Sequence, residues 1–178
     1  MGAESNRKTE TRRFNEARLA SLYDEYYDKI AYYAFVRIGD RTEAEDIAGE
    51  VFLKALESLE SYRERGIPMQ AWLFRIAHNL VVDHFRRMAK RTVVPIDTVQ
   101  IETESDPVTL VDKKIELERV TGAMEQLTPE QREVLRLRFF GELTSKEAGS
   151  ILNKSDGAVR EMQRAAVEKL RRLLITDY

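Results

Sequence analysis

A group of side chains near the C-terminus has the types and spacing to read a nucleic-acid duplex. Arg160, Gln163, Arg164 and Arg171, with Glu168 among them, recur at helical spacing opposite an apolar stripe of Val159, Met162, Ala166, Leu170 and Leu173. Arginine pairs bidentately with the O6/N7 edge of guanine, and glutamine matches adenine in the same way. Both reach those edges when the first turns of their helix enter the major groove. Lys146, Lys154 and Arg138, with Ser155 in the intervening turn, add donors for phosphate oxygens. Such a stretch by itself is more often a solvated amphipathic helix, so its meaning depends on what precedes it.

A second group lies between residues 62 and 91. Arg75, Asn79, Asp83 and Arg86 share one helical face, with His78 beside them and Arg87, Lys90 and Arg91 extending the positive charge. Such a face can hold single-stranded DNA, cations on the backbone and polar groups on unstacked bases, with Tyr62 as a stacking ring. From spacing alone, a polar helix back crossed by i,i+4 pairs fits equally well. A third group is acidic: Glu43, Asp46, Glu50 and Glu57 line a helix face on which Leu53 stands as the one apolar residue. A lone exposed leucine is often without function, yet an apolar centre inside a charged rim is also the anatomy of a protein-docking surface.

Catalytic chemistry finds no support. There is no cysteine, and the two histidines, His78 and His84, are six residues apart and cannot share a helical face. No glycine-rich phosphate loop occurs and no serine sits in a nucleophile-elbow motif. The chain is expected to be no enzyme and to need no cofactor and no metal. It has no apolar run long enough to span a bilayer, so no membrane insertion and a cytoplasmic, nucleoid-associated location are expected.

The elements that must position these groups are helical. Leu19, Leu22, Tyr23, Tyr26, Ile30, Tyr33 and Ala34 form one 3.6-period stripe. A second runs through Ala44, Ile47, Ala48, Val51, Phe52, Ala55, Leu56 and Leu59, and a third through Trp72, Leu73, Ile76, Ala77, Leu80, Val81 and Phe85. Residues 14–91 are read as one helical domain, preceded by a flexible arm over 1–13. Residues 92–112 contain Pro95 and Pro107, lack a helical stripe and carry five acidic groups and no basic one, so they read as a flexible linker. Val93, Val94 and Ile96 in it can form at most a short strand. Over residues 113–178, Thr128-Pro129-Glu130-Gln131 and Thr144-Ser145-Lys146-Glu147 are two capping boxes. Asn153 tolerates the left-handed backbone that a tight interhelix turn needs, and Ser155 or Asp156 can cap the last helix. The order of a supporting helix, a short helix, a tight turn and a long helix is that of a helix-turn-helix domain. The fold class is all-α, two small domains. Net charge is only −2, but it alternates by segment: +2 over 1–15, −6 over 16–61, +5 over 62–91, −5 over 92–112 and +2 over 113–178. That pattern suits a protein with several partners of different charge.

The segments EAEDIAGEVFLKALESL, SYRERGIPMQAWLFRIAHNLVVDHFRR and, after the linker, LTPEQREVLRLRFFGELTSKEAGSILNKSDGAVREMQRAAVEKLRRLL resemble the bacterial extracytoplasmic-function sigma factors of RNA polymerase. The resemblance runs from about Phe14 to Leu174. It implies that Asp46, Glu50 and Leu53, with Lys54 beside them, dock on the clamp helices of core polymerase. It further implies that Asn79 holds a flipped base of the −10 element, with Arg75, Asp83, Arg86 and Arg87 around it and the loop Tyr62, Arg63 and Arg65 alongside. Arg160, Glu161, Gln163 and Arg164 are implied to read the −35 element, and Arg138, Lys146, Lys154 and Ser155 to hold its backbone. Partners would be core polymerase, promoter DNA and an anti-sigma factor. Gly49 stands where many members have glutamine, so that contact does not carry over. Ala165 stands where an arginine is common, with Arg164 one position earlier, so the −35 preference does not carry over either. The competing reading is a helix-turn-helix regulator acting independently of polymerase.

Overall fold

The computed structural model describes residues 2–63, 66–91 and 119–175, with the side chains of 2–5 and 91 left aside. Every regular element among these residues is a helix. The chain divides into two compact units, Met1–Gln100 and Ile101–Tyr178. The segment 92–112 and its short strand lie outside the described residues.

In the first unit, α1 (Gly2–Ile38) ends at Gly39, whose φ of 79° needs a residue without Cβ. Asp40 then caps α2 (Arg41–Glu57) by accepting from the Glu43 amide at 2.9 Å. A 3₁₀ turn at Leu59–Ser61 leads towards α3 (Met69–Arg91). The buried face of α2 is made of Ala44, Ile47, Ala48, Val51 and Ala55, and small residues there let α1 and α3 approach closely. Tyr33 and Phe74, both fully buried, meet edge to face with ring centroids 5.7 Å apart. Two residues expected in the stripes are exposed. Leu56 is 52% exposed and Tyr23 46%. Leu56 lies one residue, or about 100°, past the buried Ala55, and only two helices cover α2.

Over residues 1–13, read in the sequence as a flexible arm, the helix α1 already begins at Gly2. Its first turns carry an Asn6–Glu10 hydrogen bond of 3.1 Å and an Arg12–Glu16 ion pair of 2.8 Å, both at i,i+4. Arg12 also reaches Glu60 in the 3₁₀ turn at 2.6 Å, which ties the extension to the rest of the unit.

In the second unit, helical residues 119–125 (α4) precede α5 (Pro129–Phe139), α6 (Ser145–Leu152) and α7 (Asp156–Ile175). Both capping boxes are formed in full, Thr128 with Gln131 and Thr144 with Glu147. Leu127, Leu135 and Ala166 make a core on which Met124 and Leu170 pack. Arg119 donates to the Leu174 carbonyl at 3.0 Å, joining the start of α4 to the end of α7. The α6–α7 corner has Asn153 in the left-handed region (φ 55°, ψ 46°), and the Ser155 hydroxyl accepts from the Ala158 amide at 3.1 Å. At this corner the Lys154 amide donates to the Gly149 carbonyl at 2.8 Å. A Cβ on Gly149 would lie 2.5 Å from the Lys154 carbonyl oxygen and 3.4 Å from the Val159 side chain.

Gly149→Ala is therefore expected to destabilise the second unit by about 1–3 kcal/mol, because the opposing atom is backbone and the corner must open. Gly122→Ala, where a Cβ meets nothing within 4 Å, is expected to be neutral or to stabilise by up to about 1 kcal/mol through helix propensity. Urea unfolding followed by amide exchange of the α6–α7 segment distinguishes the two.

Candidate nucleic-acid interface

The α7 face is assembled from three directions. Arg160, Gln163, Arg164, Val167, Glu168 and Arg171 line one shallow depression on it, together with Arg138 from α5. Arg160 donates to Asp156 at 2.7 Å, and Asp156 also accepts from the Ser145 hydroxyl at the start of α6. Asp156 thus fixes both the corner and the first arginine of the face. Sequence reading treated it only as a cap, although its i,i+4 spacing to Arg160 was a signal. Arg164 donates from Nε and Nη2 to Glu161 at 3.1 and 2.7 Å and from Nη1 to Glu168 at 3.2 Å. Those hydrogen bonds, and then the charges, hold the Glu161 carboxyl below its ordinary pKa and raise that of Arg164.

Three residues assigned to phosphates have other engagements. Arg138 donates from Nε to Gln163 at 2.8 Å and from Nη1 to the Leu143 carbonyl. It is a half-buried clasp between α5, the loop before α6 and α7, rather than an outlying cation. Lys154 is drawn to Glu130 in the first turn of α5, at 2.8 Å. The Ser155 hydroxyl is the helix cap just described. Lys146 is exposed.

In the first unit, Asn79 is exposed and lines a groove with Trp72, Ile76, Leu80 and Asp83 of α3 and Lys54, Glu57 and Ser58 at the end of α2. Asp83 pairs with Arg86 at 3.1 Å, Arg87 is exposed and Arg75 is half-buried. Tyr62, expected as a stacking ring, is only 7% exposed, its ring lies 4.9 Å from that of Trp72, and its hydroxyl donates to the Ile67 carbonyl at 3.4 Å. An aromatic beside a tryptophan gains more from burial than from water, so the ring is spent on the loop. Arg63 closes the same loop by donating to the carbonyls of Glu60 and Tyr62. Arg65 lies outside the described residues. His78 turns away from Asn79 and meets the Tyr33 hydroxyl at 3.1 Å and Arg37 at 3.4 Å, joining α3 to α1. Trp72 and Ile76, read as core, are half-buried and line the groove.

On α2, Asp46 is exposed, Glu50 reaches Lys54 at 3.5 Å, and Leu53 is 62% exposed. Leu56 joins Leu53, giving this face two bare leucines. Glu43 instead meets His84 of α3 at 3.3 Å. Among the described residues no group of His, Cys, Asp or Glu is arranged to hold a metal ion, and no helix is long and apolar enough to cross a membrane.

The chain matches two family models, Sigma-70 region 2 over residues 22–92 and Sigma-70 region 4 over residues 123–172. It is 30% identical over 154 residues to the RNA polymerase sigma factor YlaC of Bacillus subtilis, covering 84% of this chain and 88% of that protein. The chain belongs to the ECF RNA polymerase sigma factors. It is 34% identical over 160 residues to the ECF sigma factor BldN of Streptomyces coelicolor, a match over 88% of this chain but only 60% of BldN's length. Among solved structures the fold is similar to that of CnrH in complex with the cytosolic domain of CnrY, with a TM-score of 0.68 at 23% identity over 96% of both chains. It is also similar to Bartonella quintana RpoE solved with the anti-sigma factor NepR, with a TM-score of 0.69 at 21% identity over 89% of this chain and 98% of that one. In this ECF sigma factor the region 2 match takes in both the α2 face and the Asn79 groove, and the region 4 match takes in α5 to α7.

The clasp role of Arg138 makes a distinct expectation. Arg138→Met keeps the stem but removes the bonds to Leu143 and Gln163, and is expected to cost the second unit about 1–3 kcal/mol. Faster amide exchange over α6 and α7 in the absence of DNA is the check. A residue that only held phosphate would leave that exchange unchanged.

Proposed function

We propose that this ECF sigma factor binds core RNA polymerase, directs it to promoters, and opens them for initiation. Residues 14–91 engage the polymerase clamp and the −10 element, residues 113–178 engage the −35 element as duplex, and residues 92–112 join them. The observation that supports this best is the coexistence, on one chain, of three unlike surfaces. One is an acidic α2 face centred on Leu53 and Leu56. The next is a groove holding the exposed amide of Asn79, and the third is an arginine-bearing face of a helix-turn-helix. A docking surface, a receptor for unstacked bases and a duplex reader are the three things promoter opening asks of a non-catalytic subunit. The energy for melting comes from capture of unstacked bases, so the subunit itself breaks no covalent bond and needs no cofactor. It acts on the nucleoid in the cytoplasm, and an anti-sigma factor that covers these surfaces regulates it.

Sigma-free core polymerase transcribing a promoter library, with and without the full chain, tests the reading. Chain-dependent transcripts sharing a paired upstream and downstream motif are the expected result. Tight duplex binding by the chain alone, with no chain-dependent transcript, would favour a polymerase-independent regulator instead.

Two substitutions separate the surfaces. Leu53→Asp places a charge at the apolar centre of the α2 face and is expected to weaken core binding at least about tenfold. Circular dichroism should be unchanged, because Leu53 is not part of the core. Asn79→Ala is expected to lower opening of fully paired promoters several-fold, the loss of one or two hydrogen bonds to a captured base. A template already unpaired at the −10 element should recover much of the transcription. Permanganate footprints on paired and bubble templates read the difference directly. Normal opening of the paired template would remove Asn79 from the melting step.

A further inference from the structure

The α7 face holds its own arginine at Arg164. All three nitrogens of the Arg164 guanidinium are occupied by carboxylates of the same helix, Nε and Nη2 by Glu161 and Nη1 by Glu168. Neither carboxylate serves the fold: Glu161 and Glu168 are 65% and 59% exposed, and neither belongs to the core. Glu168 sits within the face itself, between Arg164 and Arg171 in the lining of the depression. Glu161 is not among the residues that line it.

The two carboxylates face different competitors when a duplex arrives. Glu161 holds the Nε/Nη2 edge, and a guanine O6/N7 pair can take over that edge bidentately. Glu161, once released, can itself accept from an exocyclic amine of cytosine. Glu168 holds the remaining nitrogen, and such a base contact leaves that bond in place. A phosphate, by contrast, competes for the guanidinium wherever it can swing to the backbone, and that swing must break the bond to Glu168.

Building on the upstream-element reading of α7, we infer that Glu168 is a positioning residue that sets sequence discrimination. It keeps Arg164 aimed into the groove and withholds it from phosphates, so that duplexes without the right base edge gain little from this cation. The occupant of the face is duplex DNA, and the bond to Glu168 favours the reading mode over the sequence-blind one. One phosphate contact deepens the salt dependence of binding by about 0.9 in log–log slope and tightens binding up to about eightfold near 0.1 M salt.

The test uses the full chain bound to core polymerase, a promoter duplex selected by the wild-type holoenzyme, and the same duplex with its upstream element scrambled. Glu168→Gln keeps shape and helix propensity while removing the charge. It is expected to tighten binding to the scrambled duplex up to about eightfold and to steepen its salt slope by up to about 0.9. Affinity for the intact duplex should stay the same or fall, so the ratio of the two shrinks. Glu125→Gln removes an exposed carboxylate from α4 and should leave the ratio alone, which separates the effect from net charge. If Glu168→Gln keeps the wild-type ratio, or if Glu125→Gln shifts it equally, the role of Glu168 is overturned. If the wild-type holoenzyme itself fails to discriminate the two duplexes, the reading of α7 as the upstream reader is what falls.

Discussion

A helix has one circumference, and in this chain each functional surface shares it with a core. On α3 the fully buried Ala77 and Val81 alternate with Asn79 and Asp83, so the groove residues are placed by the same hydrophobic burial that fastens α3 to its neighbours. On α7, Val159 and Ala166 are buried while Arg160 and Arg164 look outward. On α2 the alanine-rich buried stripe leaves Leu53 and Leu56 on the uncovered side. Moving any of these core stripes by one residue would rotate the functional face by about 100°. The precision of the surfaces is therefore inherited from packing rather than from contacts among the surface residues.

The exposed charges obey a second rule: four of the cations on the candidate DNA faces are already paired with carboxylates. Asp156 takes Arg160, Asp83 takes Arg86, Glu130 takes Lys154, and Arg164 has two carboxylates. Exposed pairs of this kind are individually weak, so a polyanion can displace them. Their common effect is to lower the background attraction of the chain for DNA of any sequence, in keeping with its slightly negative net charge. Specific binding then depends more on groups that meet base edges than on charge alone.

Local chemistry made much of the fold legible before any coordinates. The two capping boxes, the left-handed Asn153 and the Ser155 cap are each decided by a few consecutive residues, and each is formed as read. So were the three apolar stripes of the first unit in the main, with Leu56 and Tyr23 exposed and Trp72 and Ile76 half-buried as exceptions. Those failed because periodicity marks a face but not its width, and the width depends on how many helices pack against it. Residues 2–13 are helical although they carry no apolar stripe. Their i,i+4 pairs are local, but the bond from Arg12 to Glu60, which ties them to the unit, spans 48 positions and leaves no local trace.

The sequence by itself thus determined an all-helical chain, a helix-turn-helix in its C-terminal half, and the helix faces on which Asp46, Asn79 and Arg164 stand, because those features depend on spacing within one element. Only the tertiary structure decided which side chains on or near those faces are free to act. Tyr62 is consumed by Trp72, His78 by Tyr33, and Arg138 by Leu143 and Gln163, while Asn79 and Leu53 remain presented. The physical reason is that a side chain's availability is set by its neighbours in space, and those neighbours come from elements that sequence spacing does not bring together.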